Sequence, residues 1–160
     1  MPYELRTMTV RDAVPADAEE LVRLRVVMFE AMGRDVTVGD WQRPCVEVFR
    51  RELGGPGLIA TVIDAPDGGL ASCAAAFVRL DLPRPGETAT ASAHLHNVCT
   101  DPAWRRRGLA RLVVTALVER LDALGVRRSD LHASEDGRSL YESLGYKPYT
   151  GGVEMVRRLS

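Results

Sequence analysis

The sequence predicts one α/β domain of the α+β kind across residues 1–160, in which a meander of antiparallel strands sits between amphipathic helices. Apolar and β-branched runs over Leu58–Asp64 and Leu70–Leu80 flank Pro66-Asp67-Gly68-Gly69, a strong hairpin signal. Leu109, Leu112, Val113, Ala116, Leu117, Leu121 and Leu124 form a stripe at helical spacing. A chain of 160 residues that is 46% hydrophobic and 27% charged buries roughly two thirds of its unfolded surface around a single core.

Each element follows in order. Residues 8–14 read as a short strand, after which Asp17 caps a helix and Glu20 occupies the return position of a capping box. Leu21, Leu24, Val27, Met28 and Met32 step by three and four, and Gly33 stops that helix. A second helix is expected over residues 46–53, with Pro44 near its first turn and Gly54-Gly55 behind it. Pro83, Pro85 and Gly86 make residues 81–88 a loop, and residues 90–100 return as a third strand of the meander. The long helix starts at Gly108 and ends at Gly125. Residues 128–133 then read as a strand, 136–144 as a short helix closed by Gly145, and 152–159 as a last strand.

Composition excludes several classes. A net charge of -1 lacks the surplus of cations that coating a nucleic acid requires. Cys45, Cys73 and Cys99 are odd in number and far apart, which suggests neither a disulfide framework nor a zinc knuckle. No stretch approaches a membrane span and no signal segment is visible, so a cytoplasmic protein that engages neither membrane nor nucleic acid is expected.

The chemistry concentrates between residues 100 and 111. Asp101 to Ala110 lies between a strand and an amphipathic helix, so backbone N–H groups crowd at a helix N-terminus and form an anion site. Gly108 and the small Ala110 let a diphosphate approach the backbone, and Arg105, Arg106, Arg107 and Arg111 favour its charge.

Arg105-x-x-Gly108-x-Ala110 resembles the Q/R-x-x-G-x-G/A signature of the GNAT superfamily of N-acetyltransferases. Leu140-Tyr141-Glu142-Ser143-Leu144-Gly145-Tyr146 is similar to that family's second motif, and Asn97-Val98-Cys99-Thr100 looks like its central strand. The resemblance implies a mixed, mainly antiparallel sheet with helices on both faces and central strands splayed at Val98 and Ala133. It also implies acetyl-CoA as co-substrate. The Val98-Cys99-Thr100 segment would take the pantetheine arm through the Val98 and Thr100 backbone, as an added strand does. Arg105, Arg106, Arg107, Gly108, Leu109, Ala110 and Arg111 would cradle the pyrophosphate. Ser134 stands where the family often has a CoA-contacting asparagine, and it can still hydrogen-bond or cap the short helix.

On this reading an amine, either a small molecule or a peptide amine, attacks the thioester directly. Tyr141 protonates the departing sulfur as general acid. The general base is open among His94, His96, Glu30, Asp35 and Glu154, with His96 favoured for a pKa suited to neutrality. His94, His96 and His132 raise a three-histidine site, but no metal is expected, because no supporting carboxylate pattern accompanies them. Cys99 reads as a small packing residue. Acceptor choice is expected from residues 33–43 and 147–152, with Trp41, Tyr146 and Tyr149 as an apolar wall and Asp35, Asp40 or Glu154 attracting an ammonium. Ala74, Ala75 and Ala76 either leave room for a longer acyl chain or pack against a helix. The last strand is expected to pair between subunits of a homodimer. The alternative from another class is a non-catalytic CoA-binding sensor or interaction domain.

Overall fold

The computed structural model describes residues 8–159. Strands β1 (Val10–Asp12), β2 (Leu58–Asp64), β3 (Leu70–Leu80), β4 (Ala91–Thr100) and β5 (Arg128–Asp130) lie side by side in chain order. The first four alternate in direction, and β5 joins β4 in parallel, so the sheet is mixed and mainly antiparallel. A parallel neighbour needs a crossover, and helix α3 (Leu109–Ala123) supplies it. Helices α1 (Ala18–Ala31) and α2 (Gln42–Glu52) precede β2, and α4 (Arg138–Ser143) follows β5.

The strand β3 is buried on both faces, and its alternation sorts two cores. Cys73 and Ala75 face α1 and α2, where they meet Leu21, Leu24 and Phe49. Ala74 and Ala76 face α3, where they meet Val113, Leu117 and Leu121. Helices therefore cover both faces, and the alanines serve packing, since small side chains let both helices approach the sheet. The Thr61 hydroxyl donates to the Val113 carbonyl at 2.7 Å, which ties α3 to β2 through a bond sealed from water.

Two local expectations are corrected. Asp17 and Glu20 form no capping box. The Asp17 carboxylate instead accepts both terminal nitrogens of Arg11, at 2.8 and 2.9 Å, and the Val14 amide at 2.8 Å. Glu20 accepts the Leu70 amide at 2.7 Å, pinning α1 to β3. Arg11 has taken the Asp17 carboxylate, and Arg23 with the Leu70 amide has taken that of Glu20. Residues 152–159 form no strand, and Val153, Met155 and Leu159 stand exposed. A strand needs a neighbour's ladder, and the adjacent β5 ends after three residues. The strand expected over 128–133 and the helix expected over 136–144 are shorter, at Arg128–Asp130 and Arg138–Ser143.

Candidate active site

The site begins at a break in β4. Asn97 has φ 52°, and the β3–β4 register slips opposite it, between Cys73 and Ala75. This is a β-bulge, which bends a strand and re-aims its edge. Asn97 holds it in place by donating to the Leu21 carbonyl at 3.0 Å, while its own carbonyl accepts the Cys73 thiol at 3.1 Å. Beyond the bulge β4 has no strand partner on its outer side among the described residues, because β5 pairs only with Ser92, Ala93 and His94. The Asp101 amide donates to the Ala71 carbonyl at 2.8 Å, and the Cys99 carbonyl accepts the Ser72 hydroxyl at 3.2 Å. Residues 99 and 101 thus face β3, and alternation turns the Val98 and Thr100 backbone to the open edge. The Thr100 carbonyl there accepts Arg105 Nε at 3.2 Å.

Directly after β4, Asp101 caps a short 3-10 turn by accepting the Ala103 amide at 2.9 Å. Arg106 then has φ 62° and Gly108 has φ 78°. Such left-handed residues curl successive amides toward one point, and a glycine at the second position spares the chain a steric cost. The amides of residues 106–111 take no hydrogen bond among the described residues, so they remain available to an anion. Arg105, Arg106 and Arg107 are exposed, and the Arg107 guanidinium lies 4.7 Å from the Trp104 ring centroid. Arg111 donates to the Ser143 hydroxyl at 2.7 Å, which joins the turn to α4. Leu109 sends its side chain into the core under α3, and the Cys99 thiol packs under α1. Burial lifts the Cys99 pKa to about 11, so it is no nucleophile at neutral pH.

Tyr141 and Tyr146 differ in one respect. The Tyr146 hydroxyl is bonded to Ser129 Oγ at 2.6 Å, whereas that of Tyr141 has no partner among the described residues and is not enclosed. The Tyr141 ring is half-buried under α4, and that burial, then the neighbouring Tyr146, raises its pKa. Ser134 Oγ accepts the Gly137 amide at 3.2 Å and so caps the approach to α4.

The structure gathers the histidines but changes their expected chemistry. His94 and His96 rings lie 4.4 Å apart, and His132 lies 5.4 Å from His94. Burial first, then the charge of His94, pushes the His96 pKa down to about 4, not near neutrality as its residue type suggests. His94 Nδ1 is bonded to Asp130, which Arg79 also contacts at 3.1 Å. Among the described residues no cluster of three or more His, Cys, Asp or Glu side chains is arranged to hold a metal ion. Of the other base candidates, Glu30 is exposed, and Glu154 pairs with His132 at 3.5 Å.

On the α1 side a cavity of about 460 Å³ is lined by Arg25, Phe29, Arg34, Asp35, Val36 and Trp41. Trp41 and Asp35 were expected there. Tyr146 is bonded elsewhere, Tyr149 is exposed, and Asp40 is paired with Arg43 at 2.8 Å. Sequence reasoning missed Arg25, Phe29 and Asp130, and within the expected segment 33–43 it did not name Arg34. The available signal was Arg25 and Phe29 four apart on one helix face, beside the apolar stripe. A second cavity, of about 530 Å³, lies by Gly68 and Trp104, where Arg23 is already paired with Glu20 and Asp101 at 2.5 and 2.6 Å.

A mixed sheet that splays at its parallel pair, followed by an anion-ready turn opening a helix, is the architecture of an N-acetyltransferase. The chain belongs to the acetyltransferase (GNAT) family, whose model matches residues 20–146. A 76-residue stretch is 40% identical to N-acetyltransferase Eis of Mycobacterium tuberculosis; it covers 48% of this chain and 18% of that protein. Among solved structures, a predicted acetyltransferase with acetyl-CoA from Clostridium acetobutylicum superposes with a TM-score of 0.83 at 21% identity, covering 94% and 96% of the two chains. Glucosamine-6-phosphate N-acetyltransferase from Arabidopsis thaliana has a TM-score of 0.72 at 18% identity, covering 96% and 99%. At those identities the likeness is one of fold.

Proposed function

We propose that this protein is an acetyl-CoA-dependent N-acetyltransferase in which an amine attacks the thioester directly and Tyr141 is the general acid. The observation that carries the reading is the free Tyr141 hydroxyl on a half-buried ring that packs against the same core cluster as Val98, on the β4 segment left open past His94. The residues present fit the co-substrate. Unpaired amides at 106–111 and the flanking arginines suit a diphosphate, and the open edge at Val98 and Thr100 suits the amides of pantetheine.

Acetyl-CoA supplies an activated acyl group whose departing sulfur needs a proton. Tyr141 holds that proton on its phenol oxygen, and its raised pKa keeps it there at neutral pH. His96 is neutral at pH 7 and accepts a proton from the acceptor nitrogen. A weak base suffices, since that nitrogen becomes acidic as its bond to carbon forms. His94, held by Asp130, continues the proton path outward. Ser134 keeps α4, and so Tyr141, in position. The names of the Eis relative and of the Arabidopsis neighbour support an amine acceptor.

Replacing Tyr141 by Phe is expected to lower kcat by roughly ten- to a thousandfold while the CoA Kd stays within about twofold. Unchanged turnover would remove Tyr141 from the mechanism. CoA binding without thiol release against a broad amine panel would overturn the enzyme reading in favour of a binding domain.

A further inference from the structure

Several arginines of this chain are neutralised by neighbours, among them Arg11, Arg23, Arg43, Arg79, Arg120 and Arg138, each of which contacts a carboxylate. Arg25 and Arg34 do not. Neither forms an ion pair among the described residues, yet both line the 460 Å³ cavity. Their guanidinium carbons lie 4.7 and 5.2 Å from the Phe29 ring centroid. Phe29 in turn meets Trp41 edge-on at 5.6 Å, and the Trp41 indole is fixed by donating to the Val36 carbonyl at 2.9 Å. Stacking on an aromatic face restrains a guanidinium without using its N–H groups, which leaves the Arg34 fork, and the Arg25 N–H groups other than the one given to Asn97, ready for an oxyanion. Asp35 also lines the cavity but forms no ion pair with either arginine among the described residues; its Oδ1 accepts the Thr37 amide and hydroxyl at 2.9 and 2.6 Å, so its single charge is held by that turn and offsets only part of theirs.

The cavity also communicates with the reacting end of the site. Arg25 Nη1 donates to Asn97 Oδ1 at 3.3 Å, and Asn97 is the bulge residue that follows His96. We propose that Arg25 and Arg34 bind an oxyanion, a carboxylate or phosphate, carried by the amine acceptor, whose apolar body rests on Phe29 and Trp41. This assignment rests on the acetyltransferase reading above and deepens it. The same pair of unpaired positive charges disfavours polycationic amines by like-charge repulsion.

The test uses matched acceptors that differ only in the anion: L-phenylalanine against L-phenylalaninamide, and glucosamine 6-phosphate against glucosamine, with spermidine as the cation. Release of CoA thiol is followed at saturating acetyl-CoA. In at least one pair the anionic member is expected to exceed its partner about tenfold or more in kcat/KM, and the pair concerned tells carboxylate from phosphate. Arg34→Gln should erase most of that preference through KM, with kcat within about twofold, and Arg34→Glu should shift preference toward spermidine. Arg34 is exposed in a loop, so its variants should melt as the wild type does. Equal or better turnover of the uncharged or cationic acceptors, or a preference that survives Arg34→Gln, overturns the proposal. If no amine is turned over, the acetyltransferase reading fails by itself, and calorimetric titration of the same pairs into CoA-saturated protein decides the site. Binding of an anionic member that Arg34→Gln abolishes upholds it, and equal or undetectable binding of both members overturns it.

Discussion

The ring centroids of Tyr141 and Tyr146 are 6.1 Å apart, and burial raises both pKa values, yet their hydroxyls are placed for different work. The Tyr146 hydroxyl is engaged with Ser129 Oγ, whereas that of Tyr141 has no partner among the described residues. A raised phenol pKa extends the protonated, donating form to higher pH, so kcat should show no alkaline loss between pH 7 and about 9.5. His96, with a pKa of about 4, stays neutral down to that value. Any acid limb in kcat/KM above pH 5 therefore reports protonation of the acceptor amine and should move with the amine's own pKa; a limb fixed across acceptors would assign it to the protein. Tyr141 was legible in the sequence because a local motif surrounds it. Arg25 and Arg34 were not, because a helix and a loop converge only in the fold, and a free arginine looks like a paired one on paper. The His96 pKa was misjudged for a related reason: residue type gives the ordinary value, and burial overrides it.

At the scale of elements, most helices and strands were readable, since hydrophobic period and glycine stops agree with the tertiary packing. β2 and β3 have the expected bounds, Leu58–Asp64 and Leu70–Leu80. The bulge in β4 was not readable, because it depends on a hydrogen bond from Asn97 to α1 and on a register slip against β3. The absent strand at 152–159 was not readable either, as its alternating Val153 and Met155 have a strand's period, but the edge strand β5 runs for only three residues. The bulge should be a costly place to intrude. Asn97→Val puts a β-branched residue at φ 52° and leaves the Leu21 carbonyl without its side-chain donor. Together these effects should destabilise the fold by about 2–4 kcal/mol in urea unfolding. Asn97→Gly tolerates the backbone and loses only the hydrogen bonds, so it should cost less; equal costs would show that the left-handed conformation contributes nothing.

Across the whole molecule the near-zero net charge conceals an uneven distribution of partners. Carboxylates neutralise the arginines that join elements, as where Arg11 links β1 to Asp17 and Asp64. Among the described residues, guanidiniums without carboxylate partners include those of Arg105, Arg106, Arg107 and Arg111 at the turn into α3 and of Arg25 and Arg34 in the α1 cavity. A chain carrying a net charge of -1 would not attract a polyanion through its overall field, so the proposed capture of the co-substrate rests on the cluster at residues 105–111. Exposed charges are screened as the Debye length shrinks from about 10 Å at 0.1 M salt to about 3 Å at 1 M. CoA binding should therefore weaken by about tenfold between 0.05 and 0.5 M sodium chloride, because several exposed arginines each contribute a fraction of a kcal/mol or more. Pantetheine lacks the diphosphate and reaches only the strand edge, so its weaker binding should change little over the same range. Calorimetry with both ligands separates the two contributions, and an equal salt response would place the diphosphate away from residues 105–111.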